Sequence, residues 1–505
     1  MLLDLRSLSR TFPWQGQPAR IGLQNPAAVV LLAGLAGLSL IIYLWAFVWP
    51  YNLFVWYQHP RLTLRPFTEA DPLTLWRFVL AFLGQGGLYW LAWRLALQVR
   101  DRAAWLIVLG GSLAFSLVLL FLYPIDAADI FDNIVHGRIL GVYGANPFRE
   151  VANQYAGDPF YPYVAWRSAP SAYGPLWEAL AGGLARLAGD GIIANVLAFK
   201  LLDGLFLVMG IGLVAVILRR QAPQRALAGV VLFAWNPIVL YETMGNGHND
   251  IVMAVWLLAA AWAILSRRYT LAILALLAGA LIKFIPLLLL PVAGLIALRQ
   301  LSGHRARVKF LAVTILSGLL LVALAYSPFW YGVAALSIDR RVNLFTCSLP
   351  AVVNAWLYLT WGVADAGRII GWAAAGLTGL FALGQSWRTR RDHSWLNFTQ
   401  AGFNILMFYL LLTCLWFQQW YTIWPLTLAA LLPPGHASRL AVLFSFTAMS
   451  KHLIADPLLF WTQPRPPRPW RELRFGPAVM IIPWLYALLA LWLIKRTKSN
   501  VKREA

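Results

Sequence analysis

The sequence predicts an all-α polytopic membrane protein of about 13–14 transmembrane helices, and three observations predict it. Of its 505 residues 60% are hydrophobic and 12% charged, with a mean hydropathy of +0.66, whereas a soluble domain carries ~25% charged residues. The apolar residues gather in long runs separated by short polar loops. The basic residues sit between those runs, so the net charge of +21 reads as cytoplasmic anchoring of loops and not as a nucleic-acid footprint. The 26 Trp and 18 Tyr suit a protein with much interfacial surface. Cys347 and Cys414 offer neither a disulfide framework nor a zinc motif.

Taken in order, the run at 27–49 is too long for a signal-peptide core and is expected to stay attached as an anchor. Arg6, Arg10 and Arg20 place the residues before it in the cytoplasm. Runs at 73–98 and 103–123 flank Arg94, Arg100 and Arg102, a second cytoplasmic cluster, so residues 125–172 form the first large outer loop. Arg219, Arg220 and Arg225 require one crossing at 192–218, which leaves 174–189 as a helix on the outer face. Arg267 and Arg268 are inside, so the loop around 242–250 faces outside. The run 270–298 has basic residues at both ends and is expected to be a hairpin of two short halves, broken at Lys283-Phe284-Ile285-Pro286. Further runs at 309–329, 367–386, 395–417, 420–433, 439–455 and 476–494 leave outer loops at about 331–350 and 456–475. The latter carries Arg465, Arg468, Arg471 and Arg474 against the charge rule, and the tail with Lys495, Arg496, Lys498, Lys502 and Arg503 returns inside. No internal repeat or linker appears, so residues 1–505 read as one membrane domain.

The first outer loop opens with YPIDAADIFDNIVHGRILGVYGANPF (123–148). At about 100° per residue, Asp126, Asp129, Asp132, Asn133 and His136 share one side of a helix, and Ile130, Phe131, Ile134 and Val135 share the other. This is the pattern of an amphipathic helix at a membrane surface. Pro124-Ile125-Asp126 reads as an N-terminal cap. Arg138 falls on the apolar side and is expected to snorkel. Asp129 and Asp132 are less easily explained as structure, and carboxylates crowded beside a membrane cavity make good bases.

Other constellations follow. WNPIVLYETMGNGHND (235–250) crowds Glu242, His248, Asn249 and Asp250 into one short loop; these residue types also coordinate divalent cations, without a fixed ligand spacing here. Lys283 is an intramembrane charge that suits a phosphate or carboxylate. SAYGPLWEAL (171–180) brings Tyr173 and Trp177, and WFQQWYTIWP (416–425) brings Gln418, Gln419, Trp420 and Tyr421. Aromatic faces with amide donors suit sugar rings, and they equally suit an interfacial belt.

Assembled, these residues resemble the GT-C superfamily of lipid-phosphate-sugar-dependent glycosyltransferases, above all the bacterial polyprenol-phosphomannose-dependent mannosyltransferases. DIFDNIVHGRILGVYGANPF is similar to that family's pattern of an Asp opening a helix, then Gly-Arg, then Gly-x-Asn-Pro-aromatic. SAYGPLW, NPIVLYETMGNGHND and IKFIPLLLLP resemble three further elements, in the same order over roughly residues 120–430. His136 stands where relatives often carry an acid, and Asp132 has no mapped counterpart. The resemblance implies an inverting transferase in the cell membrane, its active site outside, with Asp129 as the catalytic carboxylate. The implied donor is a polyprenyl-phosphate hexose, with mannose as the expected sugar, and the acceptor a glycan or glycolipid. Lys283, with Arg138 or His248, would offset the leaving phosphate's charge. Asp126, Asp132, His136, Tyr173, Gln419, Trp420 and Tyr421 would line the substrate cavity, and Glu242 and Asp250 would bind acceptor hydroxyls or a divalent cation. A lipid or solute transporter is the alternative that an intramembrane charge and a broken hairpin also suit, although no inverted repeat supports it.

Overall fold

In a low-dielectric surrounding the backbone must satisfy its own hydrogen bonds, and the long apolar runs do so as helices. The computed structural model describes residues 26–60, 71–336, 344–363 and 366–451, with 470, 472–473, 480–489 and 492. The helices are α1 (Pro26–Ile42), α2 (Pro72–Ala96), α3 (Arg102–Leu120), α4 (Asp129–Gly141), α5 (Pro175–Ala188), α6 (Ile192–Gln221), α7 (Ala226–Ala234), α8 (Asp250–Leu265), α9 (Tyr269–Ala280), α10 (Leu290–Gln300), α11 (His304–Tyr326), α12 (Leu349–Trp361), α13 (Ala366–Arg388), α14 (Trp395–Phe408), α15 (Ile423–Ala429) and α16 (His436–Ala448). The protein is therefore an all-α polytopic membrane protein. Among the described residues, six stretches are long and apolar enough to cross a membrane: Pro26–Val48, Arg102–Leu120, Ile192–Gln221, His304–Phe329, Ala366–Arg388 and Trp395–Thr413. A seventh arises if Pro223–Ala234 and Pro237–Gly245, bent by 50°, form one broken span. The sequence's apolar runs between 27 and 448 each coincide with helical structure, several of them short.

Local chemistry sets the ends. Asp71 caps α2 by accepting from Leu73 and Thr74 N–H, with Pro72 at the first helical position. Ser348 and Ser394 cap α12 and α14 in the same way. The run 270–298 breaks where its charges require: α9 ends at Ala280, a 3-10 turn spans Ile285–Leu289, and α9 packs on both that turn and α10. The N-terminal arginines, the basic tail and most of the 456–475 loop lie outside the described residues, as do 337–343 of the 331–350 loop.

α7, α8 and α15 are buried along most of their length and form the centre of the molecule. α11, by contrast, buries only Thr314, Gly318 and Tyr326. Against this centre lies the α4–α5 pair. The polar side of α4 is covered rather than bathed, since every residue from Ile130 to Ile139 is buried. Small residues make that possible. A Cβ on Gly141 would stand 2.0 Å from the Gly182 carbonyl oxygen, so the two backbones touch.

Candidate functional site

The site is assembled from four segments. The first enters through residues 121–123, whose backbone is hydrogen-bonded on both flanks. Leu53 N–H donates to Phe121 O at 2.7 Å and Tyr123 N–H to Tyr51 O at 2.7 Å. On the other side Lys200 Nζ, from within α6, donates to Leu122 O at 2.5 Å and to Leu120 O at 3.4 Å. The chain is thus held on both flanks just before its three aspartates.

Those aspartates have separate fates. α4 begins at Asp129 behind Ala128, which makes no side-chain cap. Asp126 is therefore not the cap that its spacing suggested. Its N–H donates to Asn246 Oδ1 at 3.0 Å, and its carboxylate accepts from Gln419 Nε2, so it joins three distant segments. Asp132 turns back to its own loop, accepting from Trp166 N–H at 2.9 Å. Asp129 is half-buried, and among the described residues nothing donates a hydrogen bond to its carboxylate.

The second segment is the stretch after α7. Asn236 caps the Pro237–Leu240 turn, a π turn covers Tyr241–Gly245, and Gly247 at φ +72° lies against Ile130 of α4. A Cβ there would stand 2.4 Å from Ile130 Cδ1, and the backbone itself is left-handed. The turn sets His248 Nδ1 3.0 Å from Glu242 Oε2 and stacks the imidazole on Trp420, centroids 3.7 Å apart at 18°. Burial pushes the imidazole below its ordinary value, while Asp129, Asp250 and Asp126 pull the other way. The His248–Glu242 contact is a close approach only, since neither ring nitrogen has a hydrogen-bond partner among the described residues.

The third and fourth segments are the hairpin break and the residues 416–424. Lys283 Nζ pairs with Asp250 Oδ2 at 2.6 Å, and Trp424 Nε1 donates to Asp250 Oδ1 at 2.7 Å. The ammonium lies between the Tyr173 and Tyr421 rings, at 5.2 and 5.6 Å. Tyr173 is brought there because Gly174 N–H and Leu176 N–H donate to Ile282 O and Leu281 O, at 2.9 and 3.0 Å. A Cβ on Gly174 would stand 2.1 Å from the Leu281 oxygen.

Asp126, Asp129, Glu242, His248, Asp250, Lys283, Tyr173, Gln419, Trp420 and Tyr421 thus belong to one linked cluster. Arg138 and His136 do not join it. Arg138 is buried, not snorkelling: it donates to Asp158 and Asp190 at 2.7 Å each and to Gly189 O at 2.7 Å, tying the loop between α4 and α5 to the end of α5. His136 Nε2 lies 3.4 Å from Ala169 O, under the same loop. Among the described residues no group of three or more His, Cys, Asp or Glu gathers closely enough to hold a metal ion.

Sequence reading missed Lys200, Asp203, Lys451 and Trp424. Lys451 donates to Gln418 Oε1 and lies 5.8 Å over the Trp420 ring, a second cation beside the cluster. Asp203 is fully buried and neither of its oxygens has a hydrogen-bond partner among the described residues. Both lysines and Asp203 stood inside apolar runs, which is the intramembrane-charge signal that singled out Lys283. Trp424 is one of 26 tryptophans and carried no signal.

Residues 26–299 match the model of the MptA_B family, described as α-(1→6)-mannopyranosyltransferase, N-terminal domain. The α-(1→6)-mannopyranosyltransferase B of Corynebacterium glutamicum is 24% identical over 139 residues, 27% of this chain and 23% of the relative. The α-(1→6)-mannopyranosyltransferase A of the same organism is 23% identical over 197 residues, 38% of this chain and 39% of the relative. An α-(1→6)-mannopyranosyltransferase of Mycobacterium tuberculosis is 28% identical over 144 residues, 27% of this chain and 24% of the relative. The matches thus span less than half the length of these curated relatives. No solved structure matches the chain significantly.

Proposed function

The chain belongs to the MptA_B family, and from that premise we propose that it is an integral-membrane hexosyltransferase moving a mannosyl unit from a polyprenyl-phosphate donor to a glycan or glycolipid acceptor. The proposed unit is the whole membrane domain. The bias of arginines toward the opposite loops supports a cell-membrane location with the reaction on the outer side.

In this reading Asp129 takes the proton of the acceptor hydroxyl as general base. The acceptor oxygen attacks the anomeric carbon through an oxocarbenium-like state, and the bond from that carbon to the phosphate oxygen breaks. The electron pair leaves with the polyprenyl phosphate, whose second pKa of about 6 lets it depart with little acid help. Lys283, shared with Asp250, offsets the charge developing there. Asp126, held by Gln419, and His248, beside Glu242, orient the sugar by hydrogen bonds. A single displacement inverts the anomeric centre.

The observation that carries this reading is the availability of Asp129. Asp126, Asp132, Glu242 and Asp250 are each engaged by a donor, Glu242 by Asn246 Nδ2 at 3.5 Å, whereas Asp129 is half-buried and accepts no hydrogen bond among the described residues. The experiment offers purified protein radiolabelled polyprenyl-phosphate mannose and a short mannan acceptor, and reads the new linkage by NMR. A mannosylated product of inverted configuration is expected. Movement of the lipid across the bilayer with no product would make the protein a flippase instead.

A further inference from the structure

The loop joining α4 to α5 carries an aromatic side chain fixed at its backbone and open at its ring. Trp166 is 42% exposed. Its N–H donates to Asp132 Oδ1 at 2.9 Å, and its carbonyl accepts from Ala169 N–H at 3.1 Å, closing a turn. Its ring meets Trp416 edge-on, centroids 5.7 Å apart at 62°, and Trp416 is itself only half-buried.

Both neighbours lead into the cluster described above. Asp132 lies three residues beyond Asp129 on α4, about 4.5 Å along the helix axis. Trp416 precedes Gln418 and Gln419, whose amides engage Lys451 and Asp126. Its segment is pinned by Phe417 N–H to Thr346 O at 3.1 Å. The tryptophan pair therefore bridges the helix that carries Asp129 and the segment that carries Gln419, the donor to Asp126.

An ordered, solvent-facing indole beside polar groups suits a ligand that is apolar on one face and polar at its rim. A hexopyranose is such a ligand: its axial C–H bonds make a flat apolar face, and its hydroxyls lie around the edge. We propose that Trp166, packed on Trp416, is the stacking platform for a pyranose ring of the acceptor glycan, presenting its hydroxyl toward Asp129. This rests on the mannosyl-transfer reading above. A tryptophan that merely anchored the loop among lipid headgroups would be indifferent to the glycan.

The test uses the full chain in lipid nanodiscs, with polyprenyl-phosphate mannose as donor and a short α-(1→6)-linked mannooligosaccharide as acceptor. Steady-state kinetics are combined with saturation-transfer NMR of the oligosaccharide without donor. Trp166→Ala should raise the acceptor KM about tenfold, leave kcat and the donor KM unchanged, and weaken donor-free binding by the same factor. Trp166→Tyr, which keeps a ring, should recover most of the loss. An unchanged acceptor KM in Trp166→Ala, or an equal rise in both KM values, overturns the platform and leaves the transferase reading standing. Wild-type protein that binds the oligosaccharide through Trp166 but transfers nothing keeps the platform and overturns the transferase reading. Wild-type protein that does neither overturns both.

Discussion

The buried charges among the described residues sit in different surroundings, and the consequences differ accordingly. Lys283 and Asp250 are paired at 2.6 Å, with Asp250 fully buried. Removing one partner leaves the other charge uncompensated, so Lys283→Met should cost about 3–5 kcal/mol, and adding Asp250→Asn to it should recover much of that loss. A double-mutant cycle read by chemical unfolding checks this. Glu178 of α5 is fully buried, accepts from Ser171 Oγ at 2.5 Å, and is pushed by burial up to about 8. A carboxyl raised in the folded state binds more protons than the unfolded chain between about 4.5 and about 8. Stability should therefore fall as pH rises through that window and level off above it. Glu178→Gln should make the slope shallower, which melting curves across pH would reveal. At this scale the sequence showed which residues crowd the site, because Asp, Glu, His and Lys stand out in apolar surroundings. It did not show who pairs with whom. Asp126 looked like a cap because Pro-x-Asp precedes a helix, yet Gln419, 293 residues away, claims its carboxylate.

The elements act as mounts for these side chains. α4 holds Asp129 in place only if it lies flush on α5, where a Cβ on Gly141 would meet the Gly182 carbonyl at 2.0 Å. Gly141→Ala should lower stability by about 1–3 kcal/mol and reduce transfer, because the collision is with backbone that no rotamer change can clear. Thermal melting alongside initial rates would show both. Lys200 is the mount on the other side, holding Leu120 and Leu122 carbonyls. Lys200→Met should loosen residues 121–126 and speed their amide exchange, while Lys200→Arg should restore protection. Hydrophobic runs and their flanking arginines made the elements legible, including the broken hairpin, where basic residues at both ends of 270–298 excluded a single crossing. The burial of α4's polar side was not legible, since periodicity reports that a helix has two sides and not what covers each.

The whole molecule is a buried centre of α7, α8 and α15, wrapped by helices that expose apolar residues to the membrane, with the charged cluster at the ends of the central helices. The proposed orientation rests on loop charge, and it predicts opposite labelling of opposite loops. With Cys347 and Cys414 replaced, a cysteine at Gly144 should react with an impermeant maleimide in intact cells, and one at Arg391 only after lysis. The central claim is that this assembly transfers a sugar using Asp129 as its base. Its most direct test is the rate of mannosyl transfer by folded Asp129→Asn protein against wild type. The account predicts a fall of about 100- to 10,000-fold with the donor KM unchanged. Transfer at the wild-type rate in the correctly folded variant would contradict it.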